Sequence, residues 1–297
     1  MEETIHIPVL KEEVLNYLAC GAKKIFVDGT VGGGGHAKAI LEASKPNGFL
    51  IGLDVDDEAL VVAEKNLDNY RGRFILKKSN YAEMAKILME LGFEKVNGIL
   101  LDLGLSSLQL GTPQRGFSFL QTGPLDMRMD KSNSLTAAQI VNHWPEFRLR
   151  EIIKEFGEEK WAVRIAKKII EYRNKKPIET TTQLAEIIAN AIPKKYWPKR
   201  IHPATRTFQA LRIVVNNELE NLKQFLNQAL NLIISGGRLV IISFHSLEDR
   251  IVKTTFRIWA KEKKAKILTK KPVRPSEKEI AINPRSRSAK LRAIEII

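Results

Sequence analysis

Residues 25–36 read Ile-Phe-Val-Asp-Gly-Thr-Val-Gly-Gly-Gly-Gly-His, and this stretch decides the fold. Its apolar start is typical of a short buried strand, and the glycines that follow permit a tight turn into a helix. A helix that begins there presents unpaired backbone N–H groups to a ligand. The stretch therefore predicts a strand, a glycine-rich loop with a ligand, and a helix, although a tight corner without a ligand would also fit the glycines.

The segments around this stretch repeat the strand and helix pattern. Apolar runs at 49–54, 74–76 and 99–102 resemble buried strands, and segments 36–43 and 57–67 have helical periodicity. Alternation of strands and helices predicts a parallel sheet covered on both faces. The fold class is therefore α/β and Rossmann-like.

The pattern stops after Asp102 and resumes, after a gap of 135 residues, with an apolar run at 238–242. A crossover between parallel strands needs only about a dozen residues, so a second domain interrupts the first. We predict an α-helical insertion at 111–205 within a discontinuous domain of residues 1–110 and 206–297. Its helices are expected at 134–144, 149–156, 161–172 and 182–191, followed by one helix at 207–232 and by antiparallel edge strands at 265–269 and 291–297.

Two acidic residues near the loop indicate the kind of ligand. Asp54 ends the second strand nineteen residues after Gly35, where a carboxylate can accept hydrogen bonds from both hydroxyls of a ribose. Gly32-x-Gly34-x-x-Ala37 also fits a dinucleotide fingerprint. Asp28 would repel a pyrophosphate but tolerates a cationic cofactor such as S-adenosylmethionine. Asp28 could instead be a turn former that bonds local backbone groups.

If the cofactor is S-adenosylmethionine, the protein transfers a methyl group, and the cysteine content limits which atom can accept it. The chain has one cysteine, Cys20, placed before the first strand. Methylation at carbon 5 of a pyrimidine needs a cysteine nucleophile, and radical methylation needs a cluster of cysteine ligands. An exocyclic nitrogen or a ribose oxygen therefore remains as the acceptor. No cysteine cluster could hold zinc or an iron–sulfur centre, and we assign no residue to a metal, although the sequence leaves any metal requirement open.

Polar residues follow two strands at the edge where open α/β sheets place their chemistry. Asp102 ends the fourth strand and is a candidate acceptor for a proton of the target amine. Phe244 and His245 follow the later strand, where a ring could stack on an extruded base and an imidazole could bond it. Asp102 could instead cap its loop, and His245 could be structural.

The net charge of +14 is concentrated in two segments. Residues 261–297 contain twelve basic and four acidic residues, and residues 194–212 contain six basic residues and no acid. Such concentration favours a polyanion partner, above all nucleic acid, over a merely solvated face. No apolar run approaches the roughly 20 residues that span a bilayer, and Met1-Glu2-Glu3 is acidic where a signal peptide is basic. We expect a cytoplasmic protein without a membrane partner.

Six long motifs in this order resemble the MraW family of ribosomal RNA small subunit methyltransferases. They are Asp28-Gly-Thr-Val-Gly-Gly-Gly-Gly-His36, Asp102-Leu-Gly-Leu-Ser-Ser-Leu-Gln109, Gly123-Pro-Leu-Asp-Met-Arg-Met129, His202-Pro-Ala-Thr-Arg-Thr-Phe-Gln-Ala-Leu-Arg212, Ser243-Phe-His-Ser-Leu-Glu-Asp-Arg250 and Asn283-Pro-Arg-Ser-Arg-Ser-Ala-Lys-Leu-Arg292. The resemblance implies a bacterial enzyme that uses S-adenosylmethionine to methylate N4 of a cytosine in the decoding region of 16S ribosomal RNA in the small subunit. It also implies a class I methyltransferase domain interrupted by a helical domain for substrate recognition.

The resemblance also assigns residues to the site. The cofactor contacts it implies are Gly34, Gly35, His36, Asp54, Tyr81, Asp102 and Gln109. Its motifs contain Arg206, Arg285 and Arg287, which we expect to contact RNA together with Phe244 and His245. Tyr81 stands where the family often has Phe, and the residues after Asp102 differ from the Pro-Pro-aromatic signature of many amino methyltransferases.

Two other functions remain open from the sequence. One is a nicotinamide-dependent dehydrogenase, since the glycine-rich loop fits a dinucleotide. The other is a ribosome assembly factor that binds RNA and keeps the cofactor only as a structural ligand. Binding of S-adenosylmethionine rather than a dinucleotide would distinguish a methyltransferase from the dehydrogenase. Methyl transfer to RNA would distinguish it from the assembly factor. The sequence leaves the oligomeric state open.

Overall fold

The computed structural model describes residues 8–297, so the N-terminal residues Met1-Glu2-Glu3 lie outside the described part of the chain. That part forms a sheet of seven strands together with α-helices. The strands are β1 (Ile25–Asp28), β2 (Phe49–Asp54), β3 (Phe74–Lys78), β4 (Val96–Asp102), β5 (Ile233–Ser243), β6 (Ala265–Ile267) and β7 (Lys290–Ile296). The helices are α1 (Lys11–Leu18), α2 (Gly35–Ala43), α3 (Asp57–Asn66), α4 (Met84–Glu90), α5 (Ser107–Gly111), α6 (Ala137–His143), α7 (Glu146–Glu155), α8 (Ala162–Arg173), α9 (Thr181–Ala191), α10 (Thr205–Asn216), α11 (Glu218–Leu232), α12 (Ser246–Lys261) and α13 (Glu277–Ile282).

The seven strands form one sheet in the order β3-β2-β1-β4-β5-β7-β6. The first five are parallel, and β7 runs antiparallel to both β5 and β6. The chain order reverses between β1 and β4, and open α/β sheets bind ligands outside the carboxyl ends of their strands at such a point. The predicted Rossmann-like α/β class is confirmed, as are the antiparallel strands at the C-terminal end.

Alternate residues of each strand feed two hydrophobic cores, one on each face of the sheet. On one face, Val27, Ile51 and Ile99 pack with residues of α4, α11 and α12. On the other face, Phe26 and Leu50 pack with residues of α1, α2 and α3. Strands that are apolar on both faces are what a doubly covered parallel sheet requires, which explains the continuous apolar runs in the sequence.

The described chain divides into two compact units. The first contains the sheet and comprises residues up to Ser106 together with Leu219–Ile297, and the second, Ser107–Glu218, is helical. Capping boxes start two of its helices, Thr136 with Gln139 at α6 and Thr180 with Gln183 at α9. In a capping box the side chains satisfy backbone N–H groups that the first turn leaves unpaired.

The helical unit extends further along the chain than the predicted insertion of 111–205, because α10 packs within it. Gln209 Nε2 donates to the Phe156 carbonyl at 2.8 Å. Asn216 Nδ2 donates to the Met127 carbonyl at 2.8 Å, and Asn216 Oδ1 accepts from the Met129 N–H at 2.7 Å. The two bonds of Asn216 hold residues 127–129 against the end of α10, and the bond of Gln209 joins α10 to the end of α7.

The single helix predicted at 207–232 is wrong. Asn217 has a φ of 51°, a left-handed conformation that ends α10 before α11 begins at Glu218. Asparagine tolerates this region better than most residues. Strand β5 also begins five residues before the predicted 238, with a register shift in its pairing to β4. In the described residues, we find no helix that is both long enough and apolar enough to cross a membrane.

Candidate active site

The glycine-rich loop after β1 is bonded to the neighbouring strands on both sides. Gly29 N–H donates to the Leu100 carbonyl of β4 at 2.9 Å, and Val31 N–H donates to the Leu53 carbonyl of β2 at 2.8 Å. Thr30 Oγ1 accepts from the Asp102 N–H at 2.7 Å. The loop therefore lies at the carboxyl ends of β1, β2 and β4, beside the last residue of each strand.

Glycine is required at two positions of this segment for different reasons. Gly34 has a φ of 84° and precedes α2, and a Cβ there would lie 3.3 Å from Ala63 Cα of α3. A Cβ on Gly29 would collide with the Leu101 side chain and lie 3.1 Å from Tyr81 Cβ. The loop thus packs closely against α3 on one side and against Leu101 and Tyr81 on the other.

Asp54 accepts two backbone hydrogen bonds. Its Oδ2 accepts from the Gly32 N–H at 2.8 Å, and its Oδ1 accepts from the Asp56 N–H at 2.9 Å. A carboxylate oxygen has two lone pairs, so each oxygen retains capacity for a further donor. Burial raises the pKa of Asp54 to about 6, while the N–H groups of Asp56 and Gly32 oppose that rise. The carboxylate is thus oriented by the loop that it borders.

Asp28 is fully enclosed at the end of β1. Its Oδ1 accepts from the Thr30 N–H at 3.1 Å, which is the local turn bond that the sequence left open as an alternative. Burial raises its pKa to about 7, His36 opposes the rise, and the carboxylates of Asp102 and Asp54 add to it. Three carboxyl groups therefore surround the loop, and a cationic ligand would relieve their mutual repulsion.

His36 and Asp102 approach each other behind the loop. His36 Nε2 lies 3.5 Å from Asp102 Oδ2, and both side chains are largely buried. Within residues 8–297, neither ring nitrogen of His36 nor Asp102 Oδ1 has a hydrogen-bond partner. Buried polar atoms are nearly always bonded, so these three atoms fit a site whose ligand supplies polar groups.

Tyr81 lies in the turn after β3. Its ring packs edge-on against Phe225 of α11, with ring centroids 6.0 Å apart. The Ser79 N–H donates to the Asp54 carbonyl at 2.9 Å, which ties this turn to β2. The structure thus brings Gly34, Gly35, His36, Asp54, Tyr81 and Asp102 to one edge of the sheet. Gln109 is buried in α5, which belongs to the helical unit.

His245 caps α12. Its Nδ1 accepts from the Glu248 N–H at 3.4 Å, and Glu248 Oε2 accepts from the N–H groups of Phe244 and His245 at 2.9 and 3.3 Å. Serine, threonine, aspartate and asparagine usually fill this position, so the sequence carried little sign of a histidine cap. The partly buried Phe244 ring faces Gly104, where a Cβ would lie 3.4 Å from the ring.

The three predicted RNA-contacting arginines lie in different surroundings. Arg285 and Arg287 are exposed on the short helical turn Pro284–Ser288, whose Ser286 is buried and donates to the Asn283 carbonyl at 2.8 Å. Arg206 belongs to the helical unit, and its Nη1 lies 3.6 Å from Oε2 of the buried Glu159. The structure therefore brings Arg285 and Arg287 together, whereas Arg206 has a carboxylate contact of its own.

Sequence reasoning missed residues whose partners are distant along the chain. Thr30 supplies the oxygen that accepts from the Asp102 N–H, 72 positions away. Asp249 at the start of α12 accepts from Arg292 Nε of β7 at 2.6 Å, across 43 positions. Both pairs depend on strand order, which spacing alone does not reveal.

Comparison with known proteins gives consistent findings. The family model described as the MraW methylase family matches residues 3–297. The ribosomal RNA small subunit methyltransferase H of Geobacter sulfurreducens is 53% identical and the alignment covers 98% of each chain. The protein of that name from Citrifermentans bemidjiense is 49% identical over the whole of both chains. The solved structure of an rRNA methylase from Streptococcus thermophilus is 12% identical with a TM-score of 0.46, covering 98% of this chain and 99% of that chain.

Proposed function

Because the chain belongs to the MraW methylase family, we propose that it transfers a methyl group from S-adenosylmethionine to N4 of a cytosine in the decoding region of 16S ribosomal RNA. The substrate is the RNA within the small ribosomal subunit, in the cytoplasm. The observation that carries the proposal is the set of carboxyl groups around the glycine-rich loop, Asp28, Asp54 and Asp102, at the point where the strand order reverses.

These residues suit S-adenosylmethionine better than a dinucleotide. S-adenosylmethionine carries an electrophilic methyl on a positively charged sulfur, and carboxylates attract that charge, whereas they repel a pyrophosphate. Asp54 would accept from the ribose hydroxyls, and Gly34 and Gly35 leave room for close approach of the cofactor. Tyr81 would pack on the adenine, and His36, Asp102 and Gln109 would complete the contacts. This charge arrangement argues against a nicotinamide-dependent dehydrogenase.

Amino methylation suits the chemistry that the chain offers. The acceptor nitrogen must be aligned with the methyl group and must lose one proton after the C–N bond forms. Asp102 lies at the carboxyl end of β4 and its side chain is 19% exposed, so its carboxylate is placed to accept an N–H of the target amine. The sole cysteine is a poor candidate for nucleophilic attack on a pyrimidine, because burial raises the pKa of Cys20 to about 12.

The substrate would be held by basic and aromatic residues. Arg285 and Arg287 would contact phosphates from the first unit, and Arg206 would do so from the helical unit, which we propose recognises the substrate. Phe244 would stack on the extruded base. His245 would bond the base as well, which requires its ring to turn away from Glu248, because Nδ1 accepts from the Glu248 N–H at 3.4 Å and Nε2 lies 3.2 Å from Glu248 Oε1.

Nucleoside mass spectrometry tests the proposal. Small ribosomal subunits that lack the modification are incubated with the protein and with S-adenosylmethionine labelled on its methyl group, and their RNA is digested to nucleosides. We expect labelled N4-methylcytidine. Labelled 5-methylcytidine or a 2′-O-methylated nucleoside would contradict the assigned acceptor, and tight RNA binding without any labelled nucleoside would favour the non-catalytic assembly factor.

Asp102→Asn serves as the matched variant in that assay. It keeps the size of the side chain and removes its charge, so the rate of methyl transfer should fall by roughly 10²-fold or more if the carboxylate accepts the proton. A variant that transfers methyl groups at the wild-type rate would remove Asp102 from that role.

A further inference from the structure

A basic recess lies at the opposite end of the sheet from the edge strand β3. It is formed by α12, by the segment that follows β6 and by β7, and four of its lining residues are basic: Lys253, Arg257, Lys270 and Arg292. Phe256, Ile267 and Thr269 complete the lining, so among the described residues no carboxylate lines it.

Arg292 forms the floor of this recess. Its side chain is only 10% exposed, and its Nε donates to Asp249 Oδ1 at 2.6 Å. Within residues 8–297, its two Nη groups make no hydrogen bond. A guanidinium offers five N–H donors in a fixed fork, and here the bond to Asp249 uses one of them. The remaining donors give the recess directional capacity for an anion.

Asp249 does not neutralise the cluster. Lys290 Nζ also lies 3.5 Å from Asp249 Oδ2, so one carboxylate serves two cations. Partial burial raises the pKa of Asp249, but Arg292 and Lys290 lower it by more. The pKa therefore lies below its usual range, and the carboxylate stays ionised. The group of Arg292, Lys290 and Asp249 therefore has one net positive charge.

The other three cations of the recess have no ion-pair partner in the described part of the chain. Neither Lys253 nor Arg257 on α12 contacts a carboxylate, and the same holds for Lys270 after β6. Like charges brought together without counter-charges repel each other. An anion in the recess would therefore be bound by several cations at once, with the fork of Arg292 suited to two oxygens of one phosphate.

We propose that this recess binds a backbone phosphate of the RNA substrate. The proposal rests on the proposed function for the identity of the polyanion and adds a contact beyond the arginines of the Pro284–Ser288 turn. Strand β6 lies three strands from β4, or roughly 14 Å in the plane of the sheet at the usual spacing. At a rise of about 3.4 Å per nucleotide, about four stacked nucleotides cover that distance. The recess therefore acts as a positioning site beside the candidate active site.

The test compares two pairs of lysines on the same parts of the chain. Lys253→Gln with Lys270→Gln removes two charges from the recess and retains long polar side chains. Lys261→Gln with Lys266→Gln removes two exposed charges from α12 and β6 outside the recess. Filter binding of labelled small-subunit ribosomal RNA at a series of KCl concentrations gives the salt slope for the wild type and both variants.

Every phosphate that the protein no longer neutralises lowers the salt slope by about 0.7–0.9, so the recess variant, which loses the contact with one phosphate, should show a slope less steep by about that amount. The control variant should change the slope by less than half as much. Equal changes in the two variants, or no change in either, would overturn the proposal, because the charges would then act only through the general field of the protein. Unchanged binding of S-adenosylmethionine in both variants confirms that they fold.

Methyl transfer is measured separately on the same proteins. In one outcome, the recess variant shows the expected change in slope while the wild-type protein forms no N4-methylcytidine. That result would contradict the proposed function and leave the recess as an RNA-binding site. Formation of N4-methylcytidine together with equal slopes in the two variants would contradict the recess alone.

Discussion

At the scale of single residues, burial determines the charge state of Asp28. The carboxyl group lies at the end of β1 with one backbone donor, the Thr30 N–H, and near two other carboxyl groups. Its pKa of about 7 means that it is close to half protonated at neutral pH. A cationic ligand would favour its ionised form, so proton release and ligand binding are linked at this residue.

Asp28→Asn should change how stability depends on pH. The usual pKa of 3.8 is raised to about 7 in the folded protein, so the folded state binds a proton that the unfolded state has released. The wild type therefore loses stability as pH rises from about 4 to 7, by roughly 1.4 kcal/mol per pH unit, and the loss levels off above that.

Asparagine keeps the acceptor for Thr30 but cannot ionise. The free energy of unfolding of Asp28→Asn minus that of the wild type, measured by urea denaturation, should therefore increase across this pH window. Asp54 is present in both proteins, so its own contribution cancels in the difference except for the part that comes from its repulsion with Asp28. A difference that stays constant from pH 4 to 8 would show that Asp28 ionises normally.

Asp54→Asn should weaken binding of S-adenosylmethionine by about 1.5–3 kcal/mol, the range for hydrogen bonds to a charged group. The amide nitrogen would also face a backbone N–H, from Gly32 or Asp56, where the carboxylate now accepts. Isothermal titration calorimetry measures the loss. The control is Asp57→Asn, an exposed carboxylate that pairs with Lys78, and equal affinities for the two variants would remove Asp54 from the site.

Cys20→Ser should leave the rate of methyl transfer essentially unchanged. Burial holds the thiol in its protonated form at neutral pH, and transfer to an amine requires no thiolate. The measurement is the initial rate of labelled methyl incorporation into small subunits. Loss of activity in a variant that still binds cofactor would point to covalent catalysis and away from N4.

At the scale of elements, the position of α2 depends on one glycine. Gly34 adopts a left-handed conformation before the first residue of α2 and approaches the backbone of α3 at Ala63. Replacing it by any other residue strains the turn and separates the two helices. Because α2 begins with Gly35 and His36, such a separation would also displace two predicted cofactor contacts.

Comparison of Gly34→Ala with Gly92→Ala distinguishes the backbone strain of the turn from the steric contact with α3. Both glycines have a φ near 80°, so alanine at either position costs roughly 1–2 kcal/mol of backbone strain. Only at position 34 does a Cβ meet another backbone, since the space around Gly92 is open. Overpacking should make Gly34→Ala about 1–3 kcal/mol less stable than Gly92→Ala in urea denaturation. Equal losses would mean that α3 shifts at no cost.

The start of α12 shows an element whose local role the sequence obscured. The motif Ser243-Phe-His-Ser predicted a base contact at His245, and the structure places that histidine in a capping box with Glu248. The contact with RNA stays a prediction for Phe244 and His245.

At the scale of the whole molecule, the excess positive charge resides in two segments that fold into different units. Residues 261–297 belong to the first unit and residues 194–212 to the helical unit. Each unit therefore offers its own cations to a polyanion. In the first unit, these cations include Arg285 and Arg287 of the turn Pro284–Ser288 and Lys270 and Arg292 of the basic recess.

Replacing Arg285 and Arg287 by Ala should weaken RNA binding and flatten its salt dependence by roughly one unit or slightly less for each phosphate that is no longer neutralised. Affinity for S-adenosylmethionine should not change, because the glycine-rich loop lies at other strands. The matched control removes two exposed charges elsewhere in the first unit, Lys38→Ala with Lys65→Ala. An unchanged slope in the arginine variant would show that this turn is merely a solvated edge.

The sequence by itself determined the strands, the glycine-rich loop and the acidic residue at the end of β2. These features depend on local periodicity and on the backbone freedom of glycine, so a short stretch of chain is enough to specify them. It also indicated a helical insertion, because a gap of 135 residues is too long for one crossover.

Only the tertiary structure decided which of these residues meet. The order β3-β2-β1-β4-β5-β7-β6 places Asp28, Asp54 and Asp102 around one loop. Burial at this position then raises the pKa values of Asp28 and Asp54. The break at Asn217 and the pairing of Arg292 with Asp249 likewise depend on packing. Proximity and desolvation arise between segments that are far apart along the chain, and these two effects set the chemistry of the site.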